Sequence, residues 1–121
     1  MRVELHKRYT FEAAHRLPMV PEDHKCFRMH GHSYAVTVYI AGEVDERMGW
    51  LQDFGEITAR VEPLLKRELD HRCLNDVPGL ENPTAEIVSR WLWDRLKPLL
   101  PLLVRIQLDE TCTAGCSYTG Q

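Results

Sequence analysis

The chain has 121 residues, 44% hydrophobic and 27% charged, a balance that excludes a disordered or fibrous protein. Fifteen Lys and Arg against eighteen Asp and Glu leave a net charge of −3, with no basic block to follow a nucleic-acid backbone. The length suits one domain spanning residues 1–121, and no segment approaches the roughly twenty apolar residues of a membrane helix.

The opening MRVELHKRYTFEAAH interleaves charged and apolar residues, unlike a secretion signal, so a cytoplasmic location is expected. In a reducing compartment Cys26, Cys73, Cys112 and Cys116 stay as thiols. From Val3 to Phe11, apolar Val3, Leu5, Tyr9 and Phe11 alternate with Glu4, His6, Arg8 and Thr10, the period of a half-buried strand. Pro18 and Pro21 make Leu17–Lys25 a loop. A second strand runs from about His30 to Ala41, with Tyr34, Val36, Val38 and Ile40 on one face. Gly42 and Gly49 bracket a turn into a short strand at Trp50 and Leu51.

Asp53 stands where a helix N-cap belongs, three residues before Glu56, and Phe54, Ile57, Val61, Leu64 and Leu65 follow at helical spacing. Pro63 lies inside that run and predicts a kink or an unravelled turn. Asn75–Pro83 reads as a loop. A second helix starts near Pro83 or Thr84, buries Ile87, Val88, Trp91 and Leu92, and ends about Leu96, before Pro98 and Pro101. A strand at Leu102–Glu110, a turn at Thr111–Gly115 and a short strand through Tyr118 finish the chain. Strands and helices are grouped rather than alternating, which predicts an α+β fold: a four-stranded antiparallel sheet with two helices on one face. Its open edges favour a homo-oligomer.

Chemistry concentrates in a few places. In His30-Gly31-His32 the imidazoles lie two apart on a strand and face the same way. If the end of the first strand pairs with the start of the second, His15 joins them, giving the three-nitrogen set of a catalytic zinc site. The competing reading is a surface or hydrogen-bonded core pair. Cys26 sits in a loop with His24, Lys25 and Arg28, cationic or potentially cationic groups that favour a thiolate. It reads as a base or nucleophile, as a fourth metal ligand, or as a small inert residue.

Asp70-His71 is either a proton relay or a helix-end cap beside an ordinary histidine. Glu110 continues the Val104, Ile106, Leu108 face, where a carboxylate must find donors: two parallel N–H groups of a ligand, an Arg, or backbone amides. Asp109 faces the other way, and Cys112 and Cys116 read as turn and packing residues.

Five stretches then occur in order: FEAAHRLP from Phe11, C-x₃-H-G-H-S from Cys26, L-D-H from Leu69, L-N-D-V-P-G-L-E-N-P-T from Leu74, and E-T-C-T-A-G-C from Glu110. Together they resemble the 6-pyruvoyltetrahydropterin synthase superfamily from Phe11 to Gly120, and the three-residue gap between Cys26 and His30 resembles its carboxytetrahydropterin-forming branch. The resemblance implies a tunnelling fold, in which subunits join their sheets into a barrel, commonly as a hexamer of two trimers. It implies zinc-dependent conversion of 7,8-dihydroneopterin triphosphate to 6-carboxy-5,6,7,8-tetrahydropterin, acetaldehyde and triphosphate, a carbon–carbon lyase step in queuosine (7-deazaguanine) biosynthesis. The alternatives are triphosphate elimination of the pyruvoyl type and a non-catalytic zinc- or pterin-binding module. By position it implies zinc ligands at His15, His30 and His32, a catalytic thiol at Cys26, a relay at His71 with Asp70, and a pterin anchor at Glu110. Lys25, Arg28 and Arg16 are candidates for the triphosphate by location alone.

Overall fold

In the computed structural model, which describes residues 1–121, strands β1 (Arg2–His15) and β2 (His30–Glu43) pair antiparallel along their whole length. β4 (Leu103–Thr111) lies antiparallel to β2, and β5 (Ala114–Tyr118) returns along β4 as a hairpin. A two-residue strand, β3 (Arg72–Cys73), pairs parallel to Ala13 and Ala14 of β1. The sheet order is β3-β1-β2-β4-β5. The expected sheet of four antiparallel strands is therefore a mixed sheet of five. β3 is too short to carry a periodicity. Hydrogen bonding forms it where the chain leaving the first helix is drawn against β1 through His71 N–H and the Glu12 carbonyl, 2.6 Å apart.

Two further expectations change. The strand anticipated at Trp50–Leu51 is one isolated bridge between Asp45 and Trp50. The Asp45 carboxylate accepts the amides of Arg47 and Met48 and closes the turn too tightly for a longer ladder. β1 also runs four residues beyond Phe11, carrying Ala13 and His15 into the interior.

Helix α1 (Phe54–Glu68) is continuous through Pro63. Pro63 and Ala59, whose carbonyl the missing N–H would have met, both face outward, where solvent can reach that carbonyl. Ile57, Val61, Leu64 and Leu65 keep the buried stripe unbroken on the other side. Asp53 caps α1 through Gly55 N–H, and Thr84 caps α2 (Ala85–Leu96) through Ile87 N–H at 3.2 Å.

Val88, Trp91, Leu92 and Leu96 of α2 and the apolar stripe of α1 belong to one core with Tyr9, Phe11, Tyr34, Val36, Val38, Ile40, Ile106 and Leu108 of the sheet. The opposite sheet face is polar. There Arg105 lies 3.8 Å from the centre of the Tyr39 ring and pairs with Glu4 at 3.7 Å. Neither helix is long and apolar enough to cross a membrane.

Candidate metal centre

The β1–β2 register sets His15 opposite His30, and Ala13 opposite His32. Alternation then turns all three imidazoles to the helix side of one sheet end. Their ring centres lie 4.6, 5.0 and 4.9 Å apart, and one nitrogen from each falls within 4.8 Å of the other two. A slip of one residue between the strands would send the facing side chains to opposite faces.

Carbonyl oxygens orient two of the rings. His15 Nδ1 donates to the Pro83 carbonyl at 2.8 Å, and His30 Nδ1 donates to the Arg28 carbonyl at 2.7 Å. A carbonyl only accepts, so Nδ1 holds the proton in each ring and Nε2 presents its lone pair. The Tyr34 hydroxyl lies 3.2 Å from the same His15 nitrogen. His15 Nε2 is buried with no hydrogen-bond partner, and His32 Nε2 is buried with only the Glu110 carboxylate close to it.

Burial pushes the pKa of His15 and His32 below the usual histidine range, against the opposing pull of Glu110, and so favours the neutral rings that a metal requires. A buried acceptor left unpaired costs about 1–3 kcal/mol. Three convergent imidazole nitrogens, two of them on rings held from behind by carbonyls, fit a divalent cation with an open fourth position.

Glu110 stands beside this cluster. Asp109 pairs with Gly115 and Thr111 with Ala114, so Glu110 is the extra residue of a β-bulge in the β4–β5 ladder, and its side chain stays on the Ile106 and Leu108 face that alternation assigns it. Its Oε1 is 3.3 Å from His32 Nε2, and the side chain is 27% exposed. The neighbour is thus an imidazole rather than the Arg or backbone amides considered above. A Cβ on Gly115 would lie 2.7 Å from the Leu108 carbonyl, so the bulge needs glycine there. A cleft of about 300 Å³ opens next to Glu110, between Leu17, the first turn of α2 and Cys116. Asp109 faces away, as alternation predicts, and accepts from Gln107 Nε2 at 3.2 Å.

Asp70 and His71 do bond side chain to side chain, Oδ2 to Nδ1 at 3.0 Å. Adjacent residues seldom manage this. Here His71 adopts φ of 59°, the one left-handed non-glycine residue, and folds back on its neighbour. Asp70 Oδ1 accepts Glu12 N–H at 2.9 Å, which, with the His71 bond, holds the carboxyl below its ordinary range. The His71 side chain is 79% exposed, at the sheet edge and outside the histidine cluster.

Cys26 is also outside that cluster, partly exposed in a single 3-10 turn, Lys25–Phe27. Of the groups expected to favour its thiolate, His24 instead caps the turn, its Nδ1 accepting Cys26 N–H at 3.0 Å. Arg16 is engaged, stacked 4.6 Å from the Phe27 ring centre and donating to the Phe27 carbonyl, while Lys25 and Arg28 are exposed.

The family profile described as 6-pyruvoyl tetrahydropterin synthase matches residues 4–121. The chain belongs to that family. It is 39% identical to 6-carboxy-5,6,7,8-tetrahydropterin synthase of Synechocystis, over 94% of this chain and 91% of the relative. It is 32% identical to the Drosophila melanogaster 6-pyruvoyl tetrahydrobiopterin synthase, over 96% of this chain and 79% of the relative. The solved Caenorhabditis elegans 6-pyruvoyl tetrahydropterin synthase superposes with a TM-score of 0.91 at 27% identity, covering 100% of this chain and 97% of the other.

In this member of the 6-pyruvoyl tetrahydropterin synthase family, sequence reasoning missed three participants. Tyr34 reads as one more apolar residue of β2, although its hydroxyl meets His15. The Pro83 and Arg28 contributions are main-chain carbonyls, which side-chain identity does not announce.

Proposed function

We propose that the chain is a zinc-dependent carbon–carbon lyase converting 7,8-dihydroneopterin triphosphate to 6-carboxy-5,6,7,8-tetrahydropterin, acetaldehyde and triphosphate, in queuosine biosynthesis. The observation that carries this reading is three histidine nitrogens gathered beside the Glu110 carboxylate. Likeness to the Synechocystis synthase supports the carboxy product.

His15, His30 and His32 hold the zinc, which when bound supplies Lewis acidity toward the hydroxyls of the substrate side chain. Glu110 accepts two N–H bonds from the amino and ring nitrogens of the pterin and sets which carbon faces the centre. Asp70 keeps His71 Nδ1 engaged, leaving Nε2 to take or return a proton. The Cys26 thiolate serves the other side of the substrate, so that thiol and imidazole exchange protons with it in turn. Lys25 and Arg28, both exposed, are the cations for the triphosphate.

A homo-oligomer, a hexamer of two trimers, belongs to the same proposal. β5 and most of β1 leave backbone groups unpaired at the two edges of the sheet, and joined subunits would close them. A cytoplasmic setting, where Cys26 stays reduced, goes with it.

The second reading, pyruvoyl-type triphosphate elimination, draws on the Drosophila relative. One assay separates the readings: zinc-loaded protein is mixed with dihydroneopterin triphosphate and acetaldehyde is measured. Acetaldehyde with the carboxy product is expected. A pyruvoyl product without acetaldehyde would replace the first reading with the second, and bound pterin without turnover would leave a binding module. The Cys26→Ala variant should keep its metal and lose turnover.

A further inference from the structure

The peptide that carries Cys26 is held on both sides of the thiol. Its amide donates to His24 Nδ1 at 3.0 Å, and its carbonyl accepts from Leu17 N–H at 2.8 Å. Leu17 lies two residues after His15, and the carbonyl of Arg28, two residues after Cys26, orients His30. One loop therefore ties the thiol to two of the three histidines. Its weakest part is the turn itself. Lys25–Phe27 is a single 3-10 turn with no buried residue, and turns of this kind have poor hydrogen-bond geometry. The Arg16 guanidinium on Phe27 braces the far end of the turn, and at the near end the His24 ring caps the Cys26 amide.

We propose that His24 is a positioning residue for Cys26: its neutral ring, accepting at Nδ1, fixes where the thiol stands relative to the three-histidine centre. The inference rests on the role given to Cys26 above. With the acceptor removed, the Cys26 amide turns to solvent, the turn opens, and the sulfur samples positions from which it no longer reaches the substrate. Misplacement by about 1 Å is enough to cost roughly a hundredfold in rate.

His24→Ala should lower kcat by roughly ten- to a hundredfold, with KM changed less than about twofold. Metal affinity, measured by chelator competition, should stay at the wild-type value. Local opening should also raise the alkylation rate of Cys26 by iodoacetamide several-fold, quantified on the Cys26 peptide by mass spectrometry. His24→Asn tests the mechanism, because an Asn side-chain oxygen accepts the N–H two residues on and can rebuild the cap. It should return kcat and alkylation to within about threefold of wild type.

Wild-type kcat and alkylation in His24→Ala, beside an inactive Cys26→Ala, would overturn the role of His24 and leave the thiol reading standing. Near-normal turnover in Cys26→Ala would remove the thiol reading, and the role of His24 with it. A His24→Asn variant as impaired as His24→Ala would refute capping as the means.

Discussion

Replacing Glu110 by Gln changes one oxygen to an amide nitrogen and leaves the volume and the bulge in place. Two roles for this residue then make different demands. As a pterin anchor the carboxylate accepts two parallel N–H bonds, whereas the amide accepts one and turns its own N–H toward the second donor. Hydrogen bonds to charged groups contribute about 1.5–3 kcal/mol each and neutral ones about 1, so losing one bond, with its donor opposed, and weakening the other costs about 3–4 kcal/mol. At about 1.4 kcal/mol per decade, that weakens pterin binding roughly a hundred- to a thousandfold. A metal held by the three histidines would lose only a neighbouring charge, 27% exposed and in contact with one of the rings, at a cost of about 1 kcal/mol or less.

Pterin affinity should therefore fall at least tenfold further than metal affinity. Calorimetric titration of 7,8-dihydroneopterin, which lacks the triphosphate, into zinc-loaded protein gives the first quantity. Competition with a chelator gives the second. Pterin binding within about threefold of wild type, with metal affinity reduced more, would show that the carboxylate serves His32 and the metal rather than the pterin.

Three further outcomes follow from the fold. Gly115→Ala places a methyl 2.7 Å from the Leu108 carbonyl and should lower stability by about 1–3 kcal/mol, read from the urea midpoint; unchanged stability would remove the packing argument for the bulge. Pro63→Ala restores a helix donor at an exposed site and should stabilise the protein by about 1–2 kcal/mol, and no gain would mean that proline's restriction of the unfolded chain offsets the lost bond. The folded pKa values of His15 and His32 are depressed, so below about pH 6.5 the unfolded chain takes up protons that the metal-free folded state resists. Stability is intact above that pH and lost as pH falls toward the depressed folded values; equal urea midpoints at about pH 7.5 and about pH 5.5 would refute the burial argument.

Much of the scaffold is local and hence readable. The alternation of Tyr34, Val36, Val38 and Ile40 marks a strand wherever it is placed, and Asp53 and Thr84 announce their helices through bonds that reach only two or three residues. His30 and His32 share a face for the same reason. Pro63 leaves no unravelled turn in α1, because the rule concerns the helix alone, whereas the cost depends on whether the orphaned carbonyl faces core or solvent.

Which residues carry donors, charge and apolar surface, and which of them share a strand face, follows from the order of amino acids along the chain. Where those side chains meet was decided by hydrogen bonds between distant segments. The β1–β2 register brings His15 to His30, the β2–β4 pairing sets Glu110 beside His32, and the left-handed backbone at His71 closes it on Asp70. The register is a choice among pairings of similar local energy, and the left-handed residue is a locally unfavourable state. Only the contacts made across the folded sheet select them.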